Sequence, residues 1–277
     1  NFTVRTNYED YKWNSYGQVL SGVYESDGAV YFGKRIDMDA SGTTIGVTAH
    51  RENTDGALGV ARVYKYDSDA ELWYQLGNNL LPDTSIDDAF GYEGICLSHD
   101  GTIVAVNDAT SKNSSNTSNT GKTYVFQYNA DTNNWDTYGD NQTELESTSS
   151  GEYLGNLGIS MSKDGSTIAL TEQLGTVDIR IKKLVNGSWT NIWDTSVLSG
   201  NDSRPSLNYD GSRVVFNNYT NQIAYVYEYS GSGTTWNQVG SAIPNTGGSS
   251  HSSSTSINNA GDIVAVNEQV GGTVSVY

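Results

Sequence analysis

ICLSHDGTIVAVND, residues 95–108, is the stretch whose reading decides the fold. Apolar residues alternate on both sides of the Asp100-Gly101 dipeptide, the standard signal for two antiparallel strands joined by a tight turn. The pattern returns four times, without a gap from turn to strand end. The copies are IDMDASGTTIGVTA at 36–49, ISMSKDGSTIALTE at 159–172, PSLNYDGSRVVFNN at 205–218 and TSINNAGDIVAVNE at 255–268. Their turn glycines, Gly42, Gly101, Gly165, Gly211 and Gly261, space the units by 46–64 residues. A repeat of this period marks an architecture stacked from copies of one supersecondary unit.

A third strand follows each of the first four hairpins, as GVARVYKY at 59–66, GKTYVFQY at 121–128, GTVDIRIK at 175–182 and QIAYVYEY at 222–229. Fourteen residues after the start of each lies a tryptophan: Trp73, Trp135, Trp189 and Trp236. The fixed spacing predicts a fourth strand whose indole packs between units. Four strands per unit is the size of a propeller blade. The expected fold is all-β: one five-bladed β-propeller over residues 1–277, four antiparallel strands per blade. The fifth unit ends in GTVSVY at 272–277 without a tryptophan strand, whereas YKWNSYG at 11–17 matches LWYQLG at 72–77 and TWNQVG at 235–240. The N-terminal strand, within 1–20, is therefore expected to complete the blade formed by about 244–277 and hide its edge.

Residues 89–108, AFGYEGICLSHDGTIVAVND, join a Phe90-Gly91 pair to a Leu-Ser-x-Asp-Gly turn and an Ala-Val ending. YFGKRIDMDASGTTIGV at 31–47 repeats this with Phe32-Gly33. On these motifs the chain resembles FG-GAP repeat proteins, the blade type of the integrin α-subunit head and of many surface proteins. The resemblance spans the whole chain, although the last two units lack the Phe-Gly pair and the Gly-Ala-Pro ending is absent throughout. It implies a propeller that binds or builds, with calcium held in loops of the type Asp-x-Asp-x-Asp-Gly. Here Asp37, Asp39 and Ser41 approach that pattern, and the competing reading makes Asp39 and Ser41 turn caps with Asp37 facing solvent.

Acids outnumber bases 32 to 15, a net charge of −17, so phosphate backbones and anionic lipid heads are repelled. Nucleic acid is thereby excluded as a partner, and no stretch is long and apolar enough for direct membrane insertion. The single cysteine, Cys96, permits no internal disulfide and reads as a buried, inert thiol. The Ser/Asn/Thr tract 110–120 reads as a mobile surface loop, with Asn113 and Asn116 the accessible glycosylation sequons.

Seven residues after the turn glycines stand Ala49, Asp108, Glu172, Asn218 and Glu268. Radial repetition places them on one rim, either as a ring of acceptors for a cation or sugar hydroxyls, or as anchors for loop backbone. Trp193 has no counterpart in other units and is the aromatic expected to stand as an exposed contact. The carboxylates of Asp37, Asp108, Glu172 and Glu268 are the candidates for a glycosidase pair. His50, His99 and His251 are isolated from any catalytic set.

The function expected from these readings is a non-enzymatic, extracellular or surface-displayed subunit of a structural or adhesive assembly, its signal peptide already removed. Self-assembly or protein partners would act through chain ends or blade edges. The alternatives are a glycan-binding lectin with sites between blades and a glycosidase using channel carboxylates.

Overall fold

The computed structural model describes residues 14–22, 30–54, 57–83, 90–173, 177–195, 204–218, 223–244, 254–268 and 273–277. Its architecture is a five-bladed β-propeller. Blade 1 comprises β1 (Phe32–Met38), β2 (Thr44–Thr54), β3 (Ala57–Asp67) and β4 (Leu72–Gln75). Blade 2 comprises β5 (Ile95–Leu97), β6 (Ile103–Asp108), β7 (Lys122–Asn129) and β8 (Asn134–Thr137). Blade 3 follows with β9 (Ile159–Met161), β10 (Thr167–Gln173), β11 (Val177–Val185) and β12 (Ser188–Thr195). Blade 4 holds β13 (Ser206–Leu207), β14 (Arg213–Asn218), β15 (Ile223–Tyr229) and β16 (Trp236–Gln238), with the short β17 (Ile243–Pro244) also on β15. Blade 5 shows three strands, β18 (Thr255–Ile257), β19 (Val264–Glu268) and β20 (Thr273–Val276). Every pairing within a blade is antiparallel. The described residues contain no α-helix, and no helix is long and apolar enough to cross a membrane.

The first strand of each blade is innermost, and β1, β5, β9, β13 and β18 neighbour one another in that order. Blades stack face to face, so a second strand is covered on both sides. That is why β6 is buried at all six positions, its Ile103-Val104-Ala105-Val106 run being continuous rather than alternating.

The turn motif has a local cause. Ser98 Oγ accepts the Ile103 amide at 2.9 Å and donates to Asp100 Oδ1 at 2.7 Å, which also accepts the Thr102 amide at 3.0 Å. Ser162, Asp164 and Thr167 repeat this, and Asn208 and Asn258 take the serine's place in blades 4 and 5. Short polar side chains here satisfy amides that the turn would leave bare.

The Phe-Gly pair is also explained. Phe90 is fully buried, edge-on to Tyr124 at 5.4 Å. The Gly91 amide donates to Asn107 O, and its carbonyl accepts the hydroxyl of Thr48 from blade 1 at 2.7 Å. A Cβ at Gly91, where φ is 75°, would meet Thr48 Cβ at 2.7 Å. Leu154-Gly155 fills the same role in blade 3, with Leu154 O accepting from Asn107 Nδ2 at 2.9 Å.

The tryptophans join blades. Trp135 Nε1 donates to Leu76 O at 2.7 Å and Trp189 Nε1 to Tyr138 O at 2.8 Å, each carbonyl lying three residues after the preceding blade's tryptophan. In the tract 110–120, Asn113 Oδ1 accepts the Ser115 and Thr117 amides while its Nδ2 reaches Ser147 O and Thr148 O. Most of the proposed N-terminal strand (1–13), Trp13 and His251 lie outside the described residues.

Candidate functional site

Where the inner strands begin, a cavity of about 240 Å³ is lined from all five blades. Arg35, Ile36, Glu93, Gly94, Ile95, Leu157, Gly158, Ile159, Arg204, Pro205, Ser254 and Thr255 form its wall. The repeat dictates this set. The position seven residues before the turn glycine is Arg35, Gly94, Gly158, Arg204 and Ser254 in the five units, and every one of them lines the cavity. Two glycines leave the space, and two arginines supply the charge.

Arg35 is fixed by its neighbours, with Nε donating to Tyr92 O at 3.1 Å and a terminal nitrogen to Glu93 Oε2 at 3.1 Å. Arg204 is exposed, and its guanidinium makes no ion pair among the described residues. Next to Arg35 in the chain, Lys34 Nζ stands 4.1 Å over the Tyr92 ring, and the Arg51 guanidinium lies 5.4 Å from the Tyr31 ring. The buried His50 lies between the two tyrosines, 4.8 Å from each. Arg35 and Arg204 thus line one cavity of a molecule carrying −17, with the Glu93 carboxylate beside Arg35.

None of the candidates singled out from the sequence lines this cavity. Asp108, Glu172 and Asn218 are buried at the ends of second strands, one strand removed from the channel. Asp108 Oδ1 accepts the Thr110 amide at 3.1 Å, a loop anchor. Glu172 and Glu152 share the Ser147 hydroxyl, and Arg180 bonds Glu172. Burial pushes the Glu172 carboxyl up to about 7 despite the Ser147 bond and Arg180, with Glu152 adding to the rise. Burial also works against the charged form of Glu152, but bonds from Ser147 and the Ser149 amide hold its carboxyl down at about 2. Glu268 pairs with Thr273 through its backbone, and its side chain lies outside the described residues.

The expectation that Trp193 stands as an exposed contact is corrected. Trp193 lies four residues after Trp189, where the first two blades have Gly77 and Gly139, and a register shift in the β11–β12 pairing accommodates it. Its ring stacks on Trp236 at 5.3 Å and contacts Tyr227 at 4.8 Å, inside the blade 3–blade 4 interface.

The calcium-type loop resolves into two unrelated parts. Asp39 occupies the position of Ser98 and Ser162. It accepts the Ser41 hydroxyl at 2.7 Å and the Thr43 and Thr44 amides at 2.9 and 2.8 Å. Burial disfavours its charge, yet those bonds hold its carboxyl below the ordinary range. Asp37 does not face solvent: its Oδ2 accepts the Leu97 amide of blade 2 at 2.7 Å, and burial raises its carboxyl. The two carboxylates serve different partners, and no group of three or more metal-type side chains converges among the described residues. Cys96 donates to Ile159 O at 3.5 Å, and burial pushes its thiol up, away from reactivity. Asn116 is exposed, whereas Asn113 spends its amide group on backbone carbonyls.

No family model matches this chain, and no curated protein does either. Among solved structures, a functionally unknown protein from Desulfotomaculum acetoxidans matches at 11% identity, covering 89% of this chain and 68% of that one, with a TM-score of 0.55. A putative 6-phosphogluconolactonase from Bacteroides uniformis matches at 13% identity, over 88% and 80%, with a TM-score of 0.51. The β-propeller domain of Cps50 (Swd1) from Myceliophteria thermophila matches at 11% identity, over 85% and 66%, also at 0.51. These likenesses establish the fold. They also correct the expectation of a non-enzymatic structural or adhesive subunit, because one of the similar structures is described as an enzyme. The physical reason is that blade stacking leaves a concave channel mouth whatever the outer surface does.

Proposed function

We propose that this propeller binds a small anionic solute, bearing a carboxylate or phosphate group, at the channel mouth on Arg35 and Arg204. The observation that carries the reading is the convergence of one repeat position from five blades on a cavity of about 240 Å³, with arginine at two of the five. Guanidinium groups bind planar or tetrahedral oxyanions through paired donors. Tyr92, whose backbone carbonyl holds Arg35 Nε and whose ring carries Lys34 Nζ at 4.1 Å, supplies further positive potential next to Arg35. We place the blades in the FG-GAP-like type on the same footing, supported by the bonding shared by Phe90-Gly91 and Leu154-Gly155.

Calorimetric titration tests the site with inorganic phosphate and gluconate, and with uncharged glucose as the control. Saturable binding of an anion at low salt is expected, weakened about 10- to 100-fold by Arg204→Ala, the loss of charge-assisted bonds worth about 1.5–3 kcal/mol. Heats that are absent for both anions, or indifferent to Arg204→Ala and Arg35→Ala, would refute the assignment.

A further inference from the structure

One residue further along each inner strand, the repeat lines the same cavity with a second belt. The position six residues before the turn glycine is Ile36, Ile95, Ile159, Pro205 and Thr255, and every one of them belongs to the cavity wall. All but Thr255 are apolar, and the Thr255 hydroxyl is spent as a donor to Arg204 O at 3.2 Å. Ile36 is 72% exposed, next only to Val19 among the exposed large hydrophobic residues described. An aliphatic side chain left that bare on a concave wall is surface that a ligand can cover.

The two glycines of the mouth extend this belt rather than interrupt it. A Cβ at Gly94 would meet Ile159 Cγ1 at 2.6 Å, and a Cβ at Gly158 would meet Arg204 Cγ at 3.7 Å. The Ile159 side chain and the Arg204 stem thus each lie against the preceding blade's glycine. An arginine packed by its methylene stem keeps its guanidinium for a polar partner. Other polar groups nearby are already committed. Glu93 Oε2 accepts from Arg35 at 3.1 Å. One residue deeper, Asp37 Oδ2 accepts the Leu97 amide at 2.7 Å and Ser160 Oγ the Leu207 amide at 3.0 Å, each tying one inner strand to the next. The described wall therefore offers charge at one level and hydrocarbon at the next.

We propose that the anion taken at this mouth is amphiphilic, a short aliphatic carboxylate with its head group on Arg204 beside Arg35 and its chain on Ile36, Ile159 and Pro205. This rests on the anion site proposed above and narrows it to one ligand class. Phosphate, or a polyhydroxy acid such as gluconate, would satisfy the arginines but set polar atoms against Ile36 and Ile159 without hydrogen-bond partners. The cavity of about 240 Å³ lies below the ~300–1,000 Å³ of sites that enclose drug-sized ligands, and an acyl chain of roughly four to eight carbons matches it. Each methylene fully transferred from water onto such a wall brings about a fourfold gain in affinity.

Calorimetric titration of the whole chain at several temperatures tests this with acetate, butanoate, hexanoate and octanoate, and with hexanol as the uncharged control. Affinity should rise about 5- to 15-fold for each two carbons added and level off once the chain outgrows the wall. Hexanoate should show a more negative heat-capacity change than acetate, the mark of apolar burial. Ile36→Ser, at a side chain too exposed to support the core, should cut the ratio of hexanoate to acetate affinity by about threefold or more. Arg204→Ala should weaken acetate and hexanoate by the same factor. Equal affinities along the series, with phosphate or gluconate still bound, would overturn the aliphatic assignment and leave the anion site standing. A ratio indifferent to Ile36→Ser would overturn the placement of the chain on this belt. Hexanol bound as tightly as hexanoate, or no heat from any anion, would overturn the anion site and this assignment together.

Discussion

Glu172 shows at the residue scale how burial converts into pH dependence. Its folded carboxyl titrates near 7 against an ordinary 4.5, so between those values the folded chain holds a proton that the unfolded chain has released. Stability should therefore fall as pH rises through that window. Glu152, held down at about 2, acts in the opposite sense, and its contribution is lost as pH falls from about 4.5 toward 2. Glu172→Gln keeps the shape and an acceptor for Ser147 and Arg180 without the buried charge. It should flatten the decline between pH 5 and 8 by about 1–3 kcal/mol. Scanning calorimetry at the two pH values checks this; parallel curves for parent and variant would remove Glu172 as the cause. No local pattern marks this pair, because Glu152 belongs to the connection between blades 2 and 3, and only folding lays Ser147 between it and Glu172.

At the scale of the element, the fourth strands offer a graded series. Trp135 and Trp189 each donate an indole bond to the preceding blade, whereas Trp236 Nε1 is buried with no hydrogen-bond partner among the described residues. The difference follows from Trp193, whose ring lies where blades 1 and 2 have Gly77 and Gly139 and stacks on Trp236 instead. Trp135→Phe and Trp189→Phe should each cost about 1 kcal/mol more than Trp236→Phe, the net worth of one buried bond. Urea denaturation midpoints measure the three costs, and equal values would mean that ring packing alone matters. Strand count, turn position and tryptophan spacing were legible because each blade repeats the same local chemistry in one chain. The bulge that redirects Trp193 was not, since it arises from register across β11 and β12, which no local pattern records.

For the whole molecule, a net charge of −17 around a cavity that Arg35 and Arg204 line sets two opposed fields. Self-repulsion of the acidic surface should be screened by salt, so Tm should rise from about 10 mM to 300 mM NaCl as the Debye length shrinks from about 30 Å to below 8 Å. Anion binding at Arg35 and Arg204 should weaken over the same range. A thermal-shift series with and without phosphate separates the two effects, and a Tm independent of salt would show that the acids are already compensated by local contacts.

Repetition let the sequence by itself determine the all-β class, the five units, the turn chemistry of Ser98-x-Asp100-Gly101 and the match between residues 11–17 and a fourth strand. These are local or internally periodic facts, written five times over. Tertiary structure alone decided what that repetition surrounds. Arg35 and Arg204 are separated by 169 positions and are ordinary surface residues until ring geometry turns one repeat position into the wall of a cavity. The same geometry drew Asp108, Glu172 and Asn218 away from the channel, because strand ends one layer out face loop backbone, where polar groups are consumed in holding the blades together.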